Sequence, residues 1–224
     1  MKPMIKAAIF DMDGLLVDSE PLWQEVMEKI YRDVLGIELT NEHHIRMTGQ
    51  RTLDNLVYLF EQHGIKDHVP EKVEETINEE VTRLIRKDIA LMPGADQALT
   101  VCRKAGLPVA IASSANPVVI DAVVDALEIR DHFDHIYSAY YEEYGKPHPA
   151  VFLKVAKHFK VPPHECVVFE DSPAGVIAAK AARMVCVAVP NMAPGTHPFI
   201  RTADVVLESL EEFDDELLKK LQTP

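Results

Sequence analysis

The sequence predicts an α/β protein: a doubly wound parallel sheet with a small helical cap inserted after its first strand. Three observations predict it. Short apolar runs that are nearly continuous, not alternating, mark strands buried on both faces. Helical patterns lie between most of them, as parallel strands need crossover connections. From Asp18 to Asp88 that alternation breaks, and helical periodicity stands alone.

The first element is the run Ile5 to Phe10 within MKPMIKAAIFDMDG, interrupted by Lys6 and ended by Asp11. It is too short for a signal peptide or a bilayer span and reads as a buried strand. In the stretch that follows, Leu22, Val26, Ile30 and Val34 recur every four residues before Gly36. Leu53, Leu56, Val57 and Phe60 precede Gly64, and Val73, Ile77, Val81 and Leu84 form a third such face. Further strands are expected at Leu107 to Ala112, Cys166 to Phe169 and Met184 to Val189, with a last one at Asp204 to Leu207. Asn116-Pro117, His148-Pro149 and Ser172-Pro173 each set a capping-type residue before a proline at the first helical position. Their helix N-termini should open toward the carboxyl edge of the sheet, where open α/β folds bind ligands. Glu211 to Leu221 reads as a surface helix. Residues 1–17 and 89–224 are thus assigned to a Rossmann-like core and 18–88 to the cap, joined by short hinges near 16–20 and 86–92.

Composition narrows the function. With 224 residues, 47% hydrophobic, the chain can bury a substantial core. Three cysteines without ligand spacing argue against a disulfide framework or structural zinc and suit a cytoplasmic setting. A net charge of −13, from 36 acidic and 23 basic residues, opposes binding to nucleic acid or anionic membrane. An anionic substrate would need a local device, such as a metal ion with one or two cations beside it.

Candidate chemistry gathers at the strand ends. Asp11-Met12-Asp13-Gly14 follows the first strand, and Met12 between the aspartates puts both carboxylates on one side of extended backbone. Such a pair can hold a hard cation, attack phosphorus and handle a proton, although Asp-Gly is also an ordinary turn signal. Ser113 and Ser114 end the second strand, where they could hold phosphate oxygens or cap a helix. Glu170-Asp171 offers oxygen ligands or complements a helix dipole. Lys146, in GKPHP, offers a positive charge or is a surface lysine; Tyr140 rules out a P-loop there. Adjacent His43 and His44 cannot share a helix face and suit surface or capping roles, and Trp23 suits packing.

Together the segments DMDGLLVDSEP, VAIASS, GKPHPAVF and VVFEDSPAG resemble the four motifs of the haloacid dehalogenase-like hydrolase superfamily, across Ile5 to Val189. DSEPLW and ARMVCVAVP resemble most its hexitol and 2-deoxyglucose-6-phosphate phosphatases, with β-phosphoglucomutase as a near relative. The resemblance implies that Asp11 is the nucleophile and a magnesium (Mg2+) ligand. Asp13 would be the general acid/base whose main-chain carbonyl also binds magnesium. Asp171 would complete the protein's ligands, with Glu170 assisting directly or from behind. Ser113 and the main chain near Ser114 and Ala115 would hold the phosphoryl group, and Lys146 would neutralise it. Arg51 in the cap resembles a substrate-contacting arginine, at a spacing that differs from the mutase. Glu20 and Asn116 are candidate contacts to sugar hydroxyls or helix-start residues.

The expectation is a magnesium-dependent phosphatase of small sugar or polyol phosphates, acting as a monomer on a phosphorylated metabolite. Its rivals are a mutase that returns the phosphoryl group to another hydroxyl, and a non-catalytic metabolite-binding protein on the same fold.

Overall fold

The computed structural model describes residues 4–191 and 197–222. The chain opens with strand β1, Ala7–Phe10, and then four helices: α1 (Glu20–Leu35), α2 (Asn41–Met47), α3 (Thr52–His63) and α4 (Pro70–Ile85). The alternating part follows as α5 (Ala95–Lys104), β2 (Val109–Ser113), α6 (Pro117–Ala126), β3 (His135–Ser138), α7 (Ala150–Phe159), β4 (Cys166–Glu170), α8 (Pro173–Ala181), β5 (Val185–Ala188), β6 (Val205–Val206) and α9 (Asp215–Gln222). Six strands form one sheet in the order β3-β2-β1-β4-β5-β6, and every pairing is parallel.

The continuous apolar runs have the predicted cause: each face of the sheet packs against its own layer. Ala8, Phe10, Val109, Ile111, Val167 and Phe169 face α5, α6, α9 and the four-helix insert. Their neighbours Ala7, Ile9, Ala110, Ala112, Cys166 and Val168 face α7 and α8. Phe10 and Phe169, partners in the β1–β4 register, stack with centroids 4.3 Å apart. All three cysteines are buried free thiols. No helix among the described residues is long and apolar enough to cross a membrane.

Several sequence expectations shift. Strand β3 was not expected; it is a sheet edge with three of its four residues half-buried, so it lacks an apolar run. Helix α2 was also missed, and there His43 accepts from the Thr40 N–H in a capping box, the capping role considered for it. Pro149, not His148, is the N-cap of α7; His148 Nδ1 instead accepts from Ala150 N at 3.3 Å. The last helix begins at Asp215, after a short 3-10 turn at Leu210–Glu212.

Order of strands sets the site. The chain steps from β1 outward to β2 and β3, then returns to the other side of β1 with β4. The strand ends beside that reversal form the crevice where such sheets place ligands.

Candidate active site

Asp11 leaves the end of β1, Ser113 ends β2, Glu170 ends β4 with Asp171 next, and Lys146 arrives on the loop after β3. Topology therefore brings together residues spread over 160 positions of sequence, from 11 to 171. Lys146, 2% exposed, donates to Asp11 Oδ1 at 2.5 Å, Glu170 Oε1 at 2.6 Å and the Ala112 carbonyl at 3.0 Å. Three acceptors fix the three protons of an ammonium in one direction.

Asp11, Glu170 and Asp171 each offer a carboxylate oxygen, and these lie within 4.8 Å of one another. Three carboxylates against one ammonium leave excess negative charge in a buried space. The excess shifts both kinds of group the same way. Burial first, opposed by Lys146 and helped by Glu170, pushes Asp11 from 3.8 up to about 8. Asp171 rises well above the ordinary carboxylate range through burial, Glu170 and Asp11. Burial alone would lower Lys146, but the charges of Asp11 and Glu170 overcome it and raise it.

The donor set fits a hard divalent cation. Asp171 is 3% exposed, yet among the described residues its carboxylate has no hydrogen-bond or ion-pair partner. Buried carboxylates without a partner are costly unless a cation supplies one. Space is kept there by Gly14 at φ 77°, where an added Cβ would stand 2.5 Å from Asp171 Oδ2. Glu170 is less free, since its other oxygen accepts from Ser172 N at 3.3 Å and Ser172 Oγ at 3.0 Å.

Asp13 points elsewhere. Ser19 Oγ and Trp23 Nε1 donate to its Oδ1 at 2.7 and 2.9 Å, and Ser113 Oγ approaches its Oδ2 at 3.5 Å. Burial raises its pKa, against the hydrogen bonds from Ser19 and Trp23. Trp23, read as packing, is buried but also a donor; its place four residues after Ser19 on one helix face was the available signal. Ser19 was not singled out by the sequence, whereas Ser172, expected as a helix cap, is one and also donates to Glu170.

A cavity of about 390 Å³ opens over Asp11 and Asp13. Asp11, Asp13, Ser113, Ser114 and Ala115 line it from the sheet edge; Glu20, Trp23, Gln24, His44 and Thr48 line it from the insert. Glu20, raised to about 7 by burial and by Asp13 and Asp18, has no hydrogen-bond partner among the described residues. The Ser114 hydroxyl donates to the Gly49 carbonyl at 2.8 Å, and the Ala115 N–H donates to Ser113 Oγ at 3.0 Å.

Two expected substrate contacts are not brought to this cavity. Asn116 caps α6, its Oδ1 accepting from Val118 N at 3.1 Å, and borders a different cavity between α4 and α6. Arg51 also lies off the cavity lining, its guanidinium turned toward Asp54 and the loop before Lys146.

A family model described as haloacid dehalogenase-like hydrolase matches residues 5–183. The chain is 36% identical over 209 residues to hexitol phosphatase B of Escherichia coli K12, covering 93% of this chain and 94% of that one. It is 33% identical over 178 residues to the phosphorylated carbohydrates phosphatase of Thermotoga maritima, covering 80% and 82%. Among solved structures, β-phosphoglucomutase from Clostridium difficile superposes with a TM-score of 0.85 at 26% identity, over 98% and 97% of the two chains.

Proposed function

This chain belongs to the haloacid dehalogenase-like hydrolase family, and from that premise we propose that it is a magnesium-dependent phosphatase of small sugar or polyol phosphates. The observation that carries the reading is Asp11 held by Lys146 beside Glu170 and Asp171, at the floor of a cavity roofed by the inserted helices. Residues 18–88 act in this reading as a cap, on a core of 1–17 and 89–224. The phosphatase names of the relatives at 36% and 33% identity support hydrolysis over isomerisation.

Asp11, Asp171 and the main chain at Asp13, with Glu170 alongside, would hold the ion. Magnesium bound there supplies divalent positive charge that offsets repulsion between a carboxylate and a phosphate dianion. Lys146 fixes one Asp11 oxygen, and the other accepts no hydrogen bond among the described residues, which leaves it for attack on phosphorus. The P–O bond to the sugar breaks as the Asp11–phosphorus bond forms, and Asp13 gives the leaving alkoxide its proton. As a carboxylate, steadied by Ser19 and Trp23, Asp13 then takes a proton from the water that cleaves the aspartyl-phosphate. Ser113 and the main chain at Ser114 and Ala115 would orient the phosphoryl oxygens. The polar wall of Glu20, Gln24, His44 and Thr48 suits a polyhydroxylated substrate. Action as a cytoplasmic monomer completes the proposal.

The test is phosphate release from a panel of sugar and polyol phosphates, with magnesium or with EDTA. Release should require magnesium, and Asp11→Asn should lower it at least about a thousandfold while leaving the fold intact. Conversion of glucose 1-phosphate to glucose 6-phosphate without free phosphate would overturn hydrolysis in favour of the mutase; a wild-type protein inert on every substrate would remove the catalytic reading.

A further inference from the structure

Arg51 sits at the N-cap of α3 in the insert, and all five of its N–H donors are spent inside the protein. Nε and NH2 grip the two oxygens of Asp54 at 2.8 Å each. NH1 donates to the Ala139 and Glu142 carbonyls at 3.3 and 2.7 Å, and NH2 to the Glu143 carbonyl at 3.2 Å. None is left for a phosphate oxygen. The three carbonyls belong to the segment between β3 and Lys146, so the arginine ties the insert to the loop that delivers the lysine.

Contact continues next to Lys146 itself. Gly145 lies so close to the tie that a Cβ there would stand 2.7 Å from Arg51 Nε and 2.8 Å from Asp54 Oδ2. The same short stretch of the insert meets the other strand ends, through the Ser114 bond to the Gly49 carbonyl and the close approach of Gly49 to Ser172. Tyr140, inside the tied loop, donates to Glu74 of α4 at 3.4 Å.

We infer that Arg51 and Asp54 form a latch that positions the Lys146 loop, with Gly145 as its seat, and that Arg51 is a positioning residue, not a substrate contact. Bidentate pairing makes Asp54 a rigid base for the guanidinium, and three carbonyls fix the loop against it. A displaced loop moves the Lys146 ammonium relative to Asp11 and Glu170, and a misplacement on the order of 1 Å at a reacting group can cost about a hundredfold in rate. The consequence for turnover rests on the phosphatase reading; the latch itself does not.

The experiment compares wild type with Arg51→Ala, Arg51→Lys, Gly145→Ala and the Arg51→Ala/Gly145→Ala double variant. Substrates are a sugar phosphate accepted by the wild type and p-nitrophenyl phosphate, which has no sugar to recognise. Hydrogen exchange of the amides at 139–146 is followed in parallel. A latch predicts a fall of about tenfold or more in kcat on both substrates, KM within about twofold, and faster exchange at 139–146. Lysine should rescue little, because one ammonium cannot fill five donor positions. Gly145→Ala adds only a methyl group, so it tests the latch even if removing Arg51 impairs folding. It should add no further loss in the double variant, since both changes break the same tie. A rise in KM confined to the sugar phosphate would overturn the inference and make Arg51 a substrate contact. Unchanged exchange at 139–146 in both Arg51→Ala and Gly145→Ala would overturn it as well. A wild type that releases no phosphate removes the functional reading alone, since the exchange comparison still decides the latch.

Discussion

Lys146 shows how one side chain can depend on a local balance of charge. It is buried against Asp11 and Glu170, with Asp171 close by, so its removal would leave carboxylates uncompensated in a medium that solvates them poorly. We expect Lys146→Met to lower metal-free stability by about 3–5 kcal/mol at about pH 9, above the Asp11 pKa of about 8, as is typical when one partner of a buried ion pair is lost. Urea unfolding measures this. The loss should shrink toward acid, where the carboxylates become neutral by protonation and no longer need a cation. A loss that stays constant across pH would mean that packing of the lysine stem, not its charge, was the deleted term. Phosphate release should vanish in the same variant.

Helices α6 and α8 start alike, with a capping residue followed by proline, but their caps do different work. Ser172 accepts from Gly175 N at 3.0 Å and donates to Glu170, and it is 1% exposed. Asn116 caps α6 at a partly exposed position and borders the cavity between α4 and α6, not the one lined by Asp11. Both should lose about 1 kcal/mol on substitution by alanine, the usual worth of a cap. Ser172→Ala should cost up to about 1–3 kcal/mol more, because a buried carboxylate loses a donor. It should also slow phosphate release, whereas Asn116→Ala should keep kcat within about twofold of wild type. Paired urea titrations and kinetics check this, and a selective KM effect of Asn116→Ala would restore it as a substrate contact. The same two helices explain what could be read in advance. Strand-loop-helix junctions with local caps are legible, because the signal lies in adjacent residues; so are β1, β2, β4 and β5, whose burial on both faces forces apolar runs. The motifs were legible because a parallel sheet collects its strand ends at one edge. Strand β3 was not, being a half-buried edge. Spacing of four residues on α1 drifts by about 40° per step, so Val34 emerges at 42% exposure while Trp23 and Tyr31 take the buried face. The tie from Arg51 to the Lys146 loop was not legible, because its carbonyl partners lie 88 to 92 residues away, beyond any local pattern.

For the molecule as a whole, the site makes folding and metal binding respond to pH together. Asp11 has a folded-state pKa raised from 3.8 to about 8, chiefly by burial, and Asp171 and Asp13 are shifted the same way. A raised carboxylate binds its proton more tightly in the folded chain than in the unfolded one. Its contribution to stability is therefore complete below about pH 4 and is lost as pH rises toward about 8. Metal-free protein should show a Tm that falls between about pH 5 and about pH 8, measured by calorimetry in EDTA. Magnesium competes with protons for those carboxylates, so it should raise Tm more at about pH 8 than at about pH 5. The net charge of −13 gives a second source of alkaline instability, repulsion across the surface. Salt separates the two, since the Debye length falls below about 10 Å above about 0.1 M while buried pairs are screened far less. The fall in Tm should persist at about 0.3 M sodium chloride and be reduced in Asp11→Asn, which carries no proton there to lose. A slope abolished by salt yet unchanged in Asp11→Asn would assign the pH response to the surface, and the strain of three buried carboxylates would no longer explain it.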